Sequence, residues 1–346
     1  MASLNKNQKP VLNLNNKTVL ITGGTGSFGK HFTKFILSNY NVKRVIIFSR
    51  DELKQFEMRN EIEDKRVHYF IGDVRDRDRV HLALQAKVDI VVHAAAMKQI
   101  PACERNPFEA IKTNIMGAQN IIDAAIDANV KKVLALSTDK AASPINLYGA
   151  TKLASDKLFI AANNYVGLKD TRFAVVRYGN VMGSRGSVVP FFLDKRHEGS
   201  LPITDPRMTR FNITLDQGVQ FSLDSLARMR GQELFVPKIP SYKITDVAKA
   251  VAPNLETVVI GIRAGEKIHE DLITETDALS ALEFDEYFIL FPSRVQASNA
   301  MKRNRSHEIN CHLLDDGFKY NSKNNPDFLT CKGIRSLIKD HLDIDL

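Results

Sequence analysis

"KTVLITGGTGSFGKHFTKFIL", residues 17 to 37, decides the fold. Its first six residues form a β-branched, apolar run of strand type, and after Gly29 the apolar positions fall at helical spacing. A strand therefore passes through a glycine turn straight into a helix. Gly23, Gly26 and Gly29 stand at GxxGxxG spacing, which lets backbone N–H groups and a helix N-terminus approach a pyrophosphate. Any tight glycine turn can produce this spacing, so its weight comes from its place between strand and helix.

Outward from this turn, strand-like runs recur at "VKRVIIFS", "VHYFIGD", "DIVVHAAA", "KKVLALS" and "RFAVVRYG", with amphipathic helical stretches between most of them. The alternation predicts an α/β fold with a Rossmann-type, doubly wound parallel sheet. Beyond Asn180 it weakens and the loops lengthen. That change predicts a smaller, interleaved C-terminal substrate domain. The expected division is an N-terminal extension at 1–16 and a dinucleotide-binding domain at 17–180, to which later segments return. Residues 181–346 are then mainly substrate-binding domain and C-terminal tail.

The 346 residues allow two domains sharing a cleft, and 44% hydrophobic with 25% charged residues is ordinary globular usage. Cys103, Cys311 and Cys331 are odd in number and lack CxxC spacing, which argues against a disulfide framework or a zinc site and for a reducing, cytoplasmic setting. No metal is expected. "MASLNKNQKPVLNLNN" has no apolar h-region, and no stretch approaches the roughly 18 apolar residues of a membrane span, so no membrane association is expected. The net charge of +8 suits nucleic acid, an acidic membrane or a polyanionic small molecule. The densest charged run, "DVRDRDR", alternates in sign as a solvated face does, so no nucleic-acid partner is expected.

The second strand ends "FSRDELK". A ribose 2′-hydroxyl at that corner favours an acid and a 2′-phosphate favours a cation; Ser49, Arg50 and Lys54 therefore point to NADP(H) rather than NAD(H). The plainer alternative is a surface pairing of Arg50 with Asp51 or Glu52. Asp73 can hydrogen-bond an adenine amino group or cap the next helix, and the first is favoured. "HAAAMK" at 93–98 supplies small residues where backbone must pass close to a cofactor; His93 itself is read as a packed histidine.

The glycine turn, the pair Tyr148-x-x-x-Lys152 and the strand "LALST" before it together resemble the extended short-chain dehydrogenase/reductase superfamily. "ITGGTGSFGK", "SRDELKQFEM", "STDKA", "NLYGATKLASDKL", "RYGNVMGSRGSVVPFF" and "IGIRAGEKIHE" narrow this to a resemblance to the UDP-N-acetylglucosamine 4,6-dehydratases, most of all the inverting type that opens pseudaminic acid synthesis. The resemblance implies a cytoplasmic homo-oligomer, a hexamer, and a tightly bound NADP regenerated in each turnover. It adds Thr25, Ser27, Phe28, Val74, Ala94, Ala95 and Ala96 to the cofactor contacts. It assigns Lys98, Asn180, Arg210, Arg263 and Glu266 to the substrate, UDP-N-acetylglucosamine. The wording of "KQIPACERNP" and "RFNIT" departs from the family's and bears on substrate details.

Tyr148 and Lys152 lie one helical turn apart, so both project from one helix face. The expectation is that Lys152 lowers the phenol from about 10 and holds the nicotinamide ribose, while Tyr148 takes the carbon-4 hydroxyl proton. "LSTDKAAS" then supplies what a water elimination needs: Asp139 as acid for the leaving carbon-6 hydroxyl and Lys140 as base at carbon 5. Burial and Lys152 are expected to push Lys140 down and Asp139 to push it up, the two titrating as a pair. Thr138, by resemblance, binds the carbon-4 oxygen. A 4-epimerase needs only Tyr148 and Lys152; a retaining dehydratase carries glutamate where Lys140 stands. A non-catalytic NADP(H)-binding protein is the alternative from another class.

Overall fold

The computed structural model describes residues 12–184, 186–342 and 344. The first half alternates strand and helix: β1 (Thr18–Thr22), α1 (Ser27–Asn39), β2 (Arg44–Ser49), α2 (Glu52–Glu61), β3 (Val67–Ile71), α3 (Arg77–Leu84) and β4 (Ile90–His93). There follow α4 (Ile100–Arg105), α5 (Pro107–Ile111), a π-helical turn at Lys112–Met116, α6 (Gly117–Asp127), β5 (Lys132–Thr138), α7 (Leu147–Ala162) and β6 (Arg172–Tyr178). The strands pair in parallel in the order β3-β2-β1-β4-β5-β6. Every residue of β1 is buried, which is why its sequence is continuously apolar or β-branched rather than alternating: helices cover both faces. Strand order reverses between β1 and β4, and the crevice outside their C-terminal ends is where such a sheet binds a nucleotide.

The second half does not form a separate body. Strand Leu234–Pro237 joins β6 in parallel, and Tyr287–Leu290, Ala281–Glu283 and His312–Leu313 continue antiparallel to complete ten strands. Helix Leu215–Arg228, started by a capping box between Thr214 and Gln217, packs on α1. Later segments thus return to the first core, with Phe211, Leu223, Phe235, Leu272 and Phe288 in it. A second, smaller core gathers Phe192, Leu201, Met208, Tyr242, Val247, Ile334 and Ile338 from helices Val188–Lys195, Ile244–Val251 and Cys331–Leu342 and the strands beside them. Of the expected extension at 1–16, residues 1–11 lie outside the described residues. Leu12 and Leu14 are buried in the first core.

Candidate active site

Gly23 ends β1 at φ +62°, and a Cβ there would lie 2.9 Å from the Ala95 Cα, so only glycine lets this turn reach the segment after β4. A Cβ on Gly29 would meet the Gly24 carbonyl oxygen at 2.4 Å, which seats the start of α1 on the turn. Gly26 is the N-cap of α1 with no side-chain acceptor, and no acid stands in the first turn. The helix begins with N–H donors open to an anion, and a dinucleotide pyrophosphate fits them. Thr25 is buried, Ser27 opens α1 and Phe28 stacks on Phe32 at 5.7 Å. Ala94 and Ala95 donate to Thr22 Oγ1, with Ala96 following. Val74 packs where a Gly117 Cβ would fall 2.7 Å from its Cγ2.

At the end of β2, Ser49 is buried and its hydroxyl accepts from Gln55 Nε2 at 3.0 Å. Arg50 is 61% exposed and stands 3.8 Å from Asp73, not paired with Asp51 or Glu52. Lys54 is turned away to Asp51 at 2.6 Å, and Asp51 caps α2 through the Lys54 N–H. The cap of α3 is Asp76, which removes the capping alternative for Asp73. Burial raises the Asp73 carboxyl, but hydrogen bonds from Arg75 outweigh it and hold the group low. His93 bonds Thr22 Oγ1 at 2.8 Å; burial pushes it down to about 3, so it is a neutral, packed histidine.

Asn146 caps α7, accepting the Gly149 N–H at 2.7 Å, and the helix presents Tyr148 and Lys152 inward, both buried. Burial pushes Tyr148 up to about 12, opposed by Lys140 and a hydrogen bond with Thr138. The phenol is therefore raised rather than lowered in the protein alone, and the lysine acting on it is Lys140. Burial pushes Lys152 down, and Asp156, one turn further along α7, opposes this. Asn114, in the π-helical turn, bonds both the N–H and the carbonyl of Met97 and also Thr151 on α7, fixing the segment 94–98 against the helix. Lys98 follows at the rim, pushed down by desolvation and by Lys140.

Thr138 ends β5 and caps the short turn Asp139–Ala141. Asp139 is fully buried; its Oδ1 accepts from Thr138 Oγ1 and from Lys140 Nζ, both at 2.9 Å, while Oδ2 has no hydrogen-bond partner. Lys140 also donates to Asn180 Oδ1 at 3.3 Å and lies 3.6 Å from Glu270. Burial acts to strip the Lys140 proton, but Asp139 and Glu270 outweigh it and hold the ammonium well above the usual lysine range. This corrects the expectation that Lys152 presses Lys140 down. The balance falls to the charged form because a second carboxylate faces it.

Arg210 is engaged by the main chain around it. Its guanidinium donates to the carbonyls of Thr209, Ile268 and Lys267 and holds the 267–268 segment in place. Arg263 is 56% exposed and lies 3.7 Å from Glu266, on a loop joined to α7 by Asn146 Nδ2 donating to the Gly265 carbonyl. Two buried acids, Asp156 and Glu270, were not singled out in the sequence. Asp156 carried a signal: it continues the Tyr148, Lys152 spacing by one more turn. It accepts from Ser137 at 2.7 Å and lies 3.5 Å from buried Arg177, which also donates to the Leu272 carbonyl. Among the described residues no cluster of three or more metal-ligating side chains occurs, and no helix is long and apolar enough to cross a membrane.

The chain matches the model of the polysaccharide biosynthesis protein family over residues 19–292. It is 56% identical to a UDP-N-acetylglucosamine 4,6-dehydratase (inverting) of Campylobacter jejuni, over 94% of this chain and 98% of that one. It is 40% identical to a UDP-glucose 4-epimerase of Rickettsia prowazekii, over 93% and 95%. The X-ray structure of Pen from Bacillus thuringiensis superimposes with a TM-score of 0.86 at 38% identity, covering 96% of this chain and all of that one. The chain belongs to the polysaccharide biosynthesis protein family.

Proposed function

We propose that this family member is an inverting UDP-N-acetylglucosamine 4,6-dehydratase. Its product is UDP-2-acetamido-2,6-dideoxy-β-L-arabino-hex-4-ulose, the first intermediate toward pseudaminic acid. The observation that carries the reading is the 2.9 Å hydrogen bond between Lys140 and buried Asp139, in the same cleft as Tyr148. One proton moved along that bond from nitrogen to oxygen creates an acid and a base together, without net charge. An epimerase has no use for such a pair. The 56% identity to a named dehydratase supports the same choice.

The nicotinamide supplies the hydride acceptor and donor. Tyr148 accepts the carbon-4 hydroxyl proton, aided by Thr138, while Lys152 holds the ribose. The resulting ketone acidifies carbon 5. Lys140 takes that proton, the electron pair forms the carbon 5–carbon 6 double bond, and Asp139 protonates the departing hydroxyl as water. Hydride returned to carbon 6 and a proton delivered to the opposite face of carbon 5 complete inversion. NADP(H) is favoured over NAD(H) because Arg50 is exposed at the β2 corner, with only a 3.8 Å ion pair to Asp73, while Asp51 is spent on capping α2. Arg263 and Glu266 serve the nucleotide, with Arg210 shaping their loop. We infer a cytoplasmic homo-oligomer, a hexamer by resemblance; the three cysteines, all free, fit a reducing setting.

A 4-epimerase is the second reading, favoured by the 40% identity to the Rickettsia protein. Proton NMR with UDP-N-acetylglucosamine in deuterated water separates the two. A new methyl signal, deuterium at carbon 5 and L-arabino couplings are expected. A galacto product without a methyl signal would make the protein an epimerase.

A further inference from the structure

Lys140 lies between two carboxylates, and the proposed chemistry uses only Asp139. Glu270 immediately precedes strand Asp271–Ile273, which packs on the Asp139–Ala141 turn. Its main chain is clamped: its N–H donates to Ser322 Oγ at 2.9 Å and its carbonyl accepts the Ser322 N–H at 2.8 Å. The side chain is only 3% exposed. Its carboxylate stands 3.6 Å from Lys140, 3.8 Å from Lys267 and 4.0 Å from Arg210, and Oε2 has no hydrogen-bond partner. A charge-assisted hydrogen bond closes to about 2.7–2.9 Å. Glu270 is therefore surrounded by cations without being committed to any of them.

The groups facing Lys140 come from every element around it. Asp139 shares its turn, Asn180 comes from strand Asn180–Val181, Arg210 from strand Thr209–Ile213, and Tyr148 from α7. Lys98 and Tyr242 complete the ring. Among these and Glu270, the carboxylates are Asp139 and Glu270. Burial pushes the Glu270 carboxyl up, against the opposing charges of Lys140, Arg210 and Lys267. Glu270 is thus a carboxylate that can change charge beside the proposed base.

Resting on the dehydratase reading, we propose that Glu270 is a positioning residue for the elimination. Its charge holds Lys140 as an ammonium in the resting cleft, and its neutralisation frees the amine that takes the carbon-5 proton. The step balances: Glu270 binds a proton from solvent, the Lys140 N–H bond breaks, and the proton forms an O–H bond on Asp139 along their existing hydrogen bond. Oxidation at carbon 4 does not involve Glu270.

The test is Glu270→Gln, in the full-length enzyme with bound cofactor, with both half-reactions followed in single turnover across pH. Near-ultraviolet absorbance of reduced nicotinamide reports oxidation, and the methyl NMR signal reports elimination. The eliminating form carries one proton more than the resting form, so wild-type elimination has a limb that falls as pH rises and Glu270 loses its proton; Glu270→Gln keeps that position neutral and moves the limb to higher pH by about one unit or more, while the oxidation profile stays in place. Glu270→Asp keeps the charge on a shorter arm; its limb falls between the two and provides the measurement if the amide variant fails to fold. An unmoved limb, or a parallel fall of both half-reactions at every pH, overturns the proposal. So does loss of elimination alone at every pH, which would make Glu270 an obligatory proton carrier. If the wild-type enzyme forms no methyl product, the dehydratase reading itself fails.

Discussion

Lys140 and Lys152 border one cleft, and their surroundings treat them in opposite ways. Around Lys152 the inward face of α7 provides burial and one acid, Asp156, and burial wins. Lys140, in the turn after β5, is less buried, with 19% of its side chain exposed, and faces two acids, Asp139 and Glu270, and the acids win. A buried lysine's charge is therefore set by how many carboxylates the fold brings to it and from where. Asp156 is local, one turn along the same helix. Glu270 arrives from a distant segment, so the two lysines can be tuned independently.

The sharpest way to break this separation is to remove each lysine in turn. Lys140→Met is expected to cut methyl formation by about 10²–10⁴-fold while substrate still reduces the bound cofactor. Lys152→Met is expected to lose cofactor reduction as well. If both variants lose both half-reactions, the lysines do not divide the labour. A smaller effect tests the joint between the regions: a Cβ on Gly149 would lie 2.1 Å from the Lys140 carbonyl oxygen. Gly149→Ala is expected to cost about 1–3 kcal/mol in chemical denaturation as helix and turn are forced apart. Unchanged stability would mean that the turn is not anchored on α7.

The smallest effect is a titration. Asp156 favours charged Lys152, and that support is lost as pH rises through the lysine pKa. Asp156→Asn lowers this pKa, so the alkaline limb of cofactor reduction is expected to move about one unit to lower pH. Melting temperatures measured alongside would show whether buried Arg177, which loses a charged neighbour, dominates instead.

The order of β1 to β6 was legible because each strand is an apolar run between helical stretches, and covered sheets require such runs. The strands at 234–237, 281–283, 287–290 and 312–313 were not. Each has at most four residues, and three pair antiparallel, so no periodicity announces them. The glycine turn and the Tyr148, Lys152 pair are local spacings and could be read directly. Asp156 was visible as the next turn of that spacing. Glu270 was not, because its neighbours Lys140 and Arg210 belong to other strands and turns. The acceptors of Arg210 were hidden for a similar reason: they include backbone carbonyls of the 267–268 segment, which carry no side-chain signature.

The return of strand Leu234–Pro237 to β6 has a consequence for synthesis on the ribosome. A nascent chain that has released only the first six strands carries the dinucleotide turn and the Tyr148, Lys152 pair, yet its β6 edge is bare and invites pairing with other chains. Translation must proceed past residue 237 to cover that edge, and past 270 before Lys140 meets its second carboxylate. On the proposed reading, the residues for the cofactor are thus synthesised well before the carboxylate that completes the surroundings of Lys140.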